Sequence, residues 1–438
     1  MERGKLMKYT EMHLVKPTAT REGQQETVVM IQEDNAKEFL LVSGKTGACE
    51  HRKFKKYFPE DEWDNIVLKY INRGFYVIPG KNAPSNKKVV SFSNNNYAPE
   101  KNKTARELID LLMSMSQMVA NKSLSISVSE LTKEQLDECK NILTELMENE
   151  EHLTDAEVNN YLCHFYAILG KRMKYLGDYL VRSKDRRGKP LSKEKARKLR
   201  EELLNKVMDD FSNIVNLQQI TSGSIYNQKK SITESFNTEI VPVTAQEEDW
   251  LIKKINPQRY SYSRAWKIIN HSTEESFNKF VTDNNLTLDN GGIKYLFHGS
   301  RGENWLSIVL GGLKTVPYNI FSKVMAKICG KAYGLGIYFA PDAVKSEGYM
   351  DTVGAKWNGG SNQVGYLGIF KVAVGKKDTR YKGDRGCDSS LNFEKLQSIK
   401  PDALCTWAES RYSGFMMDEV IVYNDCQATI AYLVELSA

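Results

Sequence analysis

The strongest constraint on this chain is a change of local pattern at two points along it. From about residue 104 to 228 the sequence reads as helix. Thr104 with Glu107, Thr132 with Gln135, and Thr154 with Glu157 have capping-box spacing, in which a hydroxyl and a carboxyl or amide satisfy helix-terminal N–H groups reciprocally. Leu136, Cys139, Leu143, Leu146 and Met147 then fit one helical face, and Leu199, Leu203, Val207 and Phe211 another. The segments on either side carry strand signals instead. A helical period does not settle as a strand, so the chain cannot be one uniform fold. Its 438 residues agree, at roughly 150 per domain, with about three domains. The expected class is multidomain α+β. A small β-rich module spans 1–98, an all-α bundle 104–230, and a mixed α/β domain with antiparallel-rich sheets 235–438. No internal repeat is present.

In the first module, residues 27–31 and 38–42 are short β-rich runs, and Ser43-Gly44-Lys45-Thr46-Gly47 reads as a turn. A helix is expected from Asp61 to about Arg73, because Trp63, Ile66, Val67 and Tyr70 share a face and Gly74 supplies a stop. A last strand at 88–92 lies within a Pro-, Asn- and Ser-rich stretch, 79–103, that reads as linker. In the third module Thr244 with Glu247 caps a helix. Strand-like runs follow at 293–297, 336–340, 366–374, 419–423 and 431–436, separated by long loops.

Composition excludes some classes. No apolar run approaches the roughly 20 residues a bilayer span needs, and Met1 to Lys5 lack the apolar core of a signal peptide. The net charge of +6 permits nucleic-acid binding without demanding it. The seven cysteines are scattered and form no C-x-x-C pair, which points to reduced thiols in a nuclear or cytoplasmic compartment. The six histidines do not cluster with them, so no metal is expected.

Three pieces of the last module stand out. Leu296-Phe297-His298-Gly299-Ser300-Arg301 ends a strand. Tyr333-Gly334-Leu335-Gly336-Ile337-Tyr338-Phe339-Ala340 precedes Lys345, Ser346 and Tyr349. Asp418-Glu419-Val420-Ile421-Val422-Tyr423 sets a carboxylate at the start of an apolar strand. Singly each has a bland reading: a turn histidine, a tight strand opening, a solvated glutamate. The second is not a dinucleotide fingerprint, since its third glycine and following helix are missing.

Together and in this order they resemble the catalytic domain of the poly(ADP-ribose) polymerases, over about 235–438. The pattern is that family's His-Tyr-Glu triad, here His298, Tyr338 and Glu419. Asn304 lies six residues after His298, as expected. The resemblance implies an enzyme that uses NAD+ as substrate and transfers ADP-ribose to protein, with no metal. It implies that His298 holds the donor through a ribose hydroxyl. The Gly299 backbone and the Ser346 hydroxyl would hold the nicotinamide amide, and Tyr338 and Tyr349 would offer ring faces to nicotinamide. Ser300 and Asn304 would lie toward adenosine. Glu419 would bond the ribose 2′-hydroxyl, favour the cationic transition state and polarise the acceptor hydroxyl. Lys345 would lie on the acceptor side; a solvated loop lysine is the alternative. The family departures are a Lys at 314 where an adenine-side Arg is usual, a longer loop at about 317–331, and Ala332 and Leu335 on the acceptor side.

The upstream regions resemble the same family. Leu131-Thr132-Lys133-Glu134-Gln135 matches the helical regulatory domain of DNA-dependent members. Val42-Ser43-Gly44-Lys45-Thr46-Gly47 sits where a WGR domain has Trp-Gly-Arg-Val-Gly, with Ser43 for tryptophan and Lys45 for arginine. Lys45 with Arg52, Lys53, Lys55 and Lys56 offers a phosphate-facing patch, against the plain reading of a solvated charge run. Residues 182–200 hold the strongest charge bias; a solvated loop, a nucleic-acid arm and a nuclear-import signal are the readings. What the resemblance implies is a monomeric, nuclear enzyme (cytoplasmic in a prokaryote), activated by DNA strand breaks, with itself among its protein acceptors and no membrane partner. The alternatives are a DNA-independent mono-ADP-ribosyltransferase and a nucleic-acid-binding scaffold with an inactive transferase fold.

Overall fold

The computed structural model describes residues 9–17, 25–33, 36–45, 54–71, 73–78, 97–124, 128, 131–173, 176–185, 188–222, 230–315, 332–334, 336–357, 360 and 362–438. The chain divides into two compact units, Met1–Ser91 with Val119–Gln218 and Phe92–Met118 with Gln219–Ala438.

The first unit contains β1 (Tyr9–Pro17), β2 (Gln25–Glu33), β3 (Glu38–Lys45), β4 (Phe54–Pro59), α1 (Trp63–Ile71) and β5 (Tyr76–Ile78). The strands form an antiparallel sheet in the order β4-β3-β2-β1-β5. Period-two alternation builds it: Val28 and Met30 on β2, and Phe39 and Leu41 on β3, are buried together with Leu14, Ile66 and Phe75. The expected strands at 27–31 and 38–42 are the centres of β2 and β3, and the expected helix is α1. The strand expected at 88–92 lies outside the described residues.

Helices α2 (Lys103–Ser123), α3 (Lys133–Glu148), α4 (Asp155–Leu169) and α5 (Lys193–Ser222) follow. Thr132 and Thr154 form the expected capping boxes with Gln135 and Glu157. The start of α2 differs. Asn102 Oδ1 accepts from Thr104 N at 2.8 Å, so the helix opens one residue before Thr104, and Asn102 takes the capping place. Cys139, Leu143 and Leu146 of α3 are fully buried, and Phe165 of α4 meets Phe211 of α5 edge to face at 5.5 Å. Within this first unit α4 also faces the sheet. Ala167 packs with Val15 and Tyr76, and His164 stacks on Tyr76 at 4.7 Å.

The second unit is mixed α/β with antiparallel sheets. Its further helices are α6 (Ile232–Ser235), α7 (Ala245–Ile255), α8 (His271–Asp283), α9 (Trp305–Gly311), α10 (Ala343–Glu347), α11 (Phe393–Ile399) and α12 (Ser410–Ser413). One sheet has the order β6 (Thr238–Pro242), β7 (Ser261–Asn270), β14 (Ala428–Ser437), β10 (Val364–Ala373), β8 (Ile293–Gly299). The other has the order β11 (Tyr381–Lys382), β12 (Cys405–Ala408), β13 (Glu419–Val422), β9 (Ile337–Phe339), with only β11 and β12 parallel. β10 and β14 are buried along nearly their whole length, which is why they read as continuous apolar runs. Leu251 and Ile255 of α7, Ala343 of α10 and Met350 pack on Phe297, Leu367 and Val434 of the first of these sheets. The segment leading into α2 belongs to this unit. Glu100 accepts from Thr233 N (2.9 Å) and Oγ1 (2.6 Å), and Tyr97 OH donates to the Ile220 carbonyl.

Among the described residues, no helix is long and apolar enough to cross a membrane, and no group of three or more His, Cys, Asp or Glu could hold a metal ion.

Candidate active site

The site forms where the two sheets of the second unit meet. β8 runs antiparallel to β10, which places His298 opposite Gly368 and Gly299 opposite Leu367. At the same place Phe297 and Ala340 exchange backbone hydrogen bonds of 2.8 and 2.9 Å, so the end of β9 pairs with β8. On its other side β9 pairs with β13, with Tyr338 opposite Ile421 and Phe339 opposite Val420. These three strands therefore carry His298, Tyr338 and Glu419 into one locality. A ring nitrogen of His298, Nδ1, lies 2.9 Å from the Tyr338 carbonyl oxygen, which fixes the imidazole plane.

Tyr338 turns its hydroxyl to its own loop. It donates to the Gly334 carbonyl at 3.0 Å and accepts from Tyr333 N at 3.0 Å. Burial raises its pKa, and the nearby Tyr423 and Glu419 add to the rise, so the phenol stays neutral.

Glu419 opens β13 with its carboxylate largely covered. Its Oε1 lies 2.6 Å from Lys345 Nζ, and both side chains are nearly buried. Lys345 also donates to the Met417 carbonyl at 2.9 Å and stands 5.0 Å above the Phe415 ring. The reading of Lys345 as a solvated loop lysine is thus corrected. The residue is buried on α10, and an ion pair and a carbonyl satisfy its charge.

Gly299 explains itself by close approach. A Cβ there would sit 1.8 Å from the Ser346 carbonyl oxygen, so only glycine lets α10 reach β8. Ser346 is buried at this contact, and Tyr349, three residues on, is partly exposed. The Tyr349 ring stacks on Trp357 with centroids 4.8 Å apart, and burial together with Glu419 pushes its pKa up to about 12. On the other flank Asn304 Nδ2 donates to Ser300 Oγ at 2.8 Å. Asn304 Oδ1 is buried without a hydrogen-bond partner among the described residues, an acceptor still to be satisfied. Lys314 pairs with Asp425 at 3.8 Å.

The sequence missed Glu347, Asp351 and Trp357. Glu347 is buried, and neither carboxylate oxygen has a partner among the described residues. Burial and then Asp342 push its pKa up to about 7, with Arg259 opposing. Its place could have been found from spacing. It lies four residues after Ala343 and three before Met350, both on the buried face. Asp351 Oδ2 accepts from Gly302 N at 3.3 Å and from Asn362 Nδ2 at 2.8 Å, tying the loop after Tyr349 to the Ser300 segment.

The residues expected to meet phosphate lie elsewhere, in the first unit. Lys45 ends β3 and is exposed. Lys55 and Lys56 are exposed on β4, and as adjacent strand residues they point to opposite faces, so they do not share one patch. Arg52 and Lys53 lie outside the described residues. In the basic stretch, Arg200 pairs with Glu150 and Asp155, and Arg197 and Lys198 pair with Glu201 and Glu202 along α5.

The family model described as the poly(ADP-ribose) polymerase catalytic domain matches residues 252–438. Protein mono-ADP-ribosyltransferase PARP3 of Mus musculus is 26% identical over 169 residues, 33% of this chain and 29% of that protein. Poly [ADP-ribose] polymerase 2 of Zea mays is 26% identical over 192 residues, 39% of this chain and 26% of that protein. Poly [ADP-ribose] polymerase 2-B of Oryza sativa subsp. japonica is 27% identical over 182 residues, 37% of this chain and 27% of that protein. The chain thus covers less than a third of the length of these curated relatives. The strand-end histidine, the tyrosine strand and the glutamate strand that converge here all fall inside the stretch, residues 252–438, that is similar to the poly(ADP-ribose) polymerase catalytic domain.

Proposed function

We propose that this chain is an NAD+-dependent protein ADP-ribosyltransferase that builds poly(ADP-ribose) on protein acceptors, itself included, in response to DNA strand breaks. The observation that carries the reading is the covered Lys345–Glu419 pair beside Tyr338 and His298, within the matched domain.

In this reading His298 bonds a ribose hydroxyl, and the Gly299 backbone and Ser346 hydroxyl take the nicotinamide amide. Nicotinamide stacks on Tyr349 with Tyr338 near it. Ser300 and Asn304 hold the adenosine end, where the unsatisfied Asn304 oxygen offers an acceptor. Lys314, drawn toward Asp425, serves there only weakly. The bond from the ribose C1′ to the pyridinium nitrogen breaks, and its electron pair leaves with neutral nicotinamide. Glu419 stabilises the cationic ribose through its 2′-hydroxyl and draws the proton from the acceptor hydroxyl as that oxygen bonds to C1′. Lys345 holds the Glu419 carboxylate in place, so that little reorganisation is needed when charge develops.

Residues 1–98 act as a WGR-like DNA module, with phosphate contacts from Lys45, Arg52, Lys53 and whichever of Lys55 and Lys56 shares their face of the sheet, and 104–230 as a regulatory domain. Support for regulation comes from α2. Ser116 Oγ donates to the Glu303 carbonyl at 2.9 Å, and Met115 Sδ lies 3.1 Å from where a Cβ at Gly302 would be. The helix thereby touches the segment between Ser300 and Asn304. Work of this kind belongs in the nucleus, on a monomer.

A second reading is a DNA-independent mono-ADP-ribosyltransferase. Ser43 and Lys45 in place of a tryptophan and an arginine favour it. Purified protein incubated with labelled NAD+, with and without nicked DNA, tests both. A DNA-stimulated ladder of labelled protein is expected. A single labelled band indifferent to DNA would select the second reading, and absence of any label would refute both.

A further inference from the structure

Gly348 has an ordinary right-handed helical backbone, with φ −64°, that any residue adopts, so conformation does not explain the glycine. Its surroundings do. A Cβ there would sit 2.1 and 2.2 Å from Cε3 and Cζ3 of Trp357. The glycine makes room for an indole, and that indole lies nearly parallel to the Tyr349 ring, with the planes 21° apart. Trp357 N–H donates to the Gly348 carbonyl at 2.9 Å.

The loop that delivers Trp357 is itself fastened. Tyr260 OH donates to the Val353 carbonyl at 3.1 Å, and Arg259 to the Gly354 carbonyl at 2.6 Å. Beside the indole, Lys356 stands 5.4 Å from its ring centroid and 2.8 Å from Met416 Sδ, in the segment that leads to Glu419. Tyr349 lies just beyond α10 and is partly exposed, and stacking against the indole restricts the rotamers open to its ring.

We infer that Trp357 is a positioning residue for the nicotinamide subsite. It sets the plane and tilt of Tyr349, so that the ring on which nicotinamide stacks is already oriented before the donor arrives. The inference rests on the reading of Tyr349 given above. Its benefit is preorganisation, which acts on binding of the nicotinamide end and not on the bond-breaking step.

The test uses full-length protein, benzamide as a nicotinamide probe and ADP-ribose as a probe of the remainder of the donor site. Trp357→Ala and Trp357→Leu are each expected to weaken benzamide binding and raise the KM for NAD+ about tenfold, the scale of a good aromatic pair. Turnover should stay within about twofold, and ADP-ribose affinity should not change. Trp357→Phe, which keeps a stacking ring, should restore both losses. Normal benzamide affinity in the alanine and leucine variants would overturn the inference. So would an equal loss for benzamide and ADP-ribose that phenylalanine does not restore, since that marks a merely structural role. If the wild-type protein binds ADP-ribose and not benzamide, the reading of Tyr349 fails first and takes this inference with it.

Discussion

Glu347 should make the catalytic unit less stable as pH rises, and Glu347→Gln should remove that loss. The carboxyl is buried on α10 without a hydrogen-bond partner among the described residues. Burial, reinforced by Asp342 and opposed by Arg259, raises its pKa from 4.5 to about 7. Below pH 4.5 the folded and unfolded chains both hold the proton, and the site adds no pH dependence. Between 4.5 and about 7 the folded chain keeps a proton that the unfolded chain has lost, so stability falls as pH rises. Above about 7 the loss is complete. At about 1.4 kcal/mol per pH unit the gap comes to about 3 kcal/mol. Glutamine also buries unpaired polar atoms, but its cost does not change with pH. The observable is therefore the difference between variant and wild type, compared at two pH values. Thermal unfolding of full-length protein should show the variant gaining under about 1 kcal/mol more at pH 5 than at pH 4, and about 3 kcal/mol by pH 8. For a unit of this size that is about 6–10 °C in the melting temperature of the catalytic transition. An equal shift at pH 5 and pH 8 would refute the argument, because the carboxyl would then not ionise inside the fold.

Other outcomes follow from the same geometry. Glu419→Gln should lower transfer by about 10² to 10³ while NAD+ binding changes little, measured by labelled automodification and by titration; near-normal automodification would remove Glu419 from the reaction. Gly299→Ala must push the Ser346 carbonyl away and should destabilise by about 1–3 kcal/mol, with benzamide affinity lost alongside; an unchanged melting temperature would contradict the close approach. Lys45→Ala should flatten the salt dependence of DNA binding by about one, read from affinities at several salt concentrations, and a salt-independent affinity would favour the DNA-independent reading. Removing residues 1–230 should free the transferase from its DNA requirement. It should also lower the melting temperature, because Thr233 loses both bonds to Glu100, at about 0.5–1.5 kcal/mol for each bond now exchanged for water.

How much of this was legible depended on whether a residue's role is set by its neighbours in sequence or by distant ones. The capping boxes at Thr132, Thr154 and Thr244 were readable because both partners lie within one turn. Thr104 misled because Asn102, two residues earlier, competes for the same place. β10, β13 and β14 showed as apolar runs since both their faces are covered, and β8 showed by its buried Leu296 and Phe297. β1 and β4 did not show, as their sequences mix charged and apolar residues and β4 is mostly exposed on the sheet edge. At the candidate site, His298, Tyr338 and Glu419 were singled out by their order along the chain, which is how a resemblance selects residues. What it does not reach are features that only the fold brings together. Gly348 reads in sequence as one more loop glycine, and Trp357 as an exposed aromatic nine residues further on. Only the path of the chain from Asp351 to Trp357 brings the indole back onto Gly348 and Tyr349. The same holds for Glu347. A charged residue on a short polar-looking segment is expected in water, and here the segment is packed against β8, where the distant Gly299 lets the Ser346 carbonyl approach. The close approach at Gly299 and the buried Glu347 carboxylate belong to the same packing of α10, so changing Gly299 would disturb both. They can be separated at Glu347, where glutamine keeps the shape of α10 and removes only the charge.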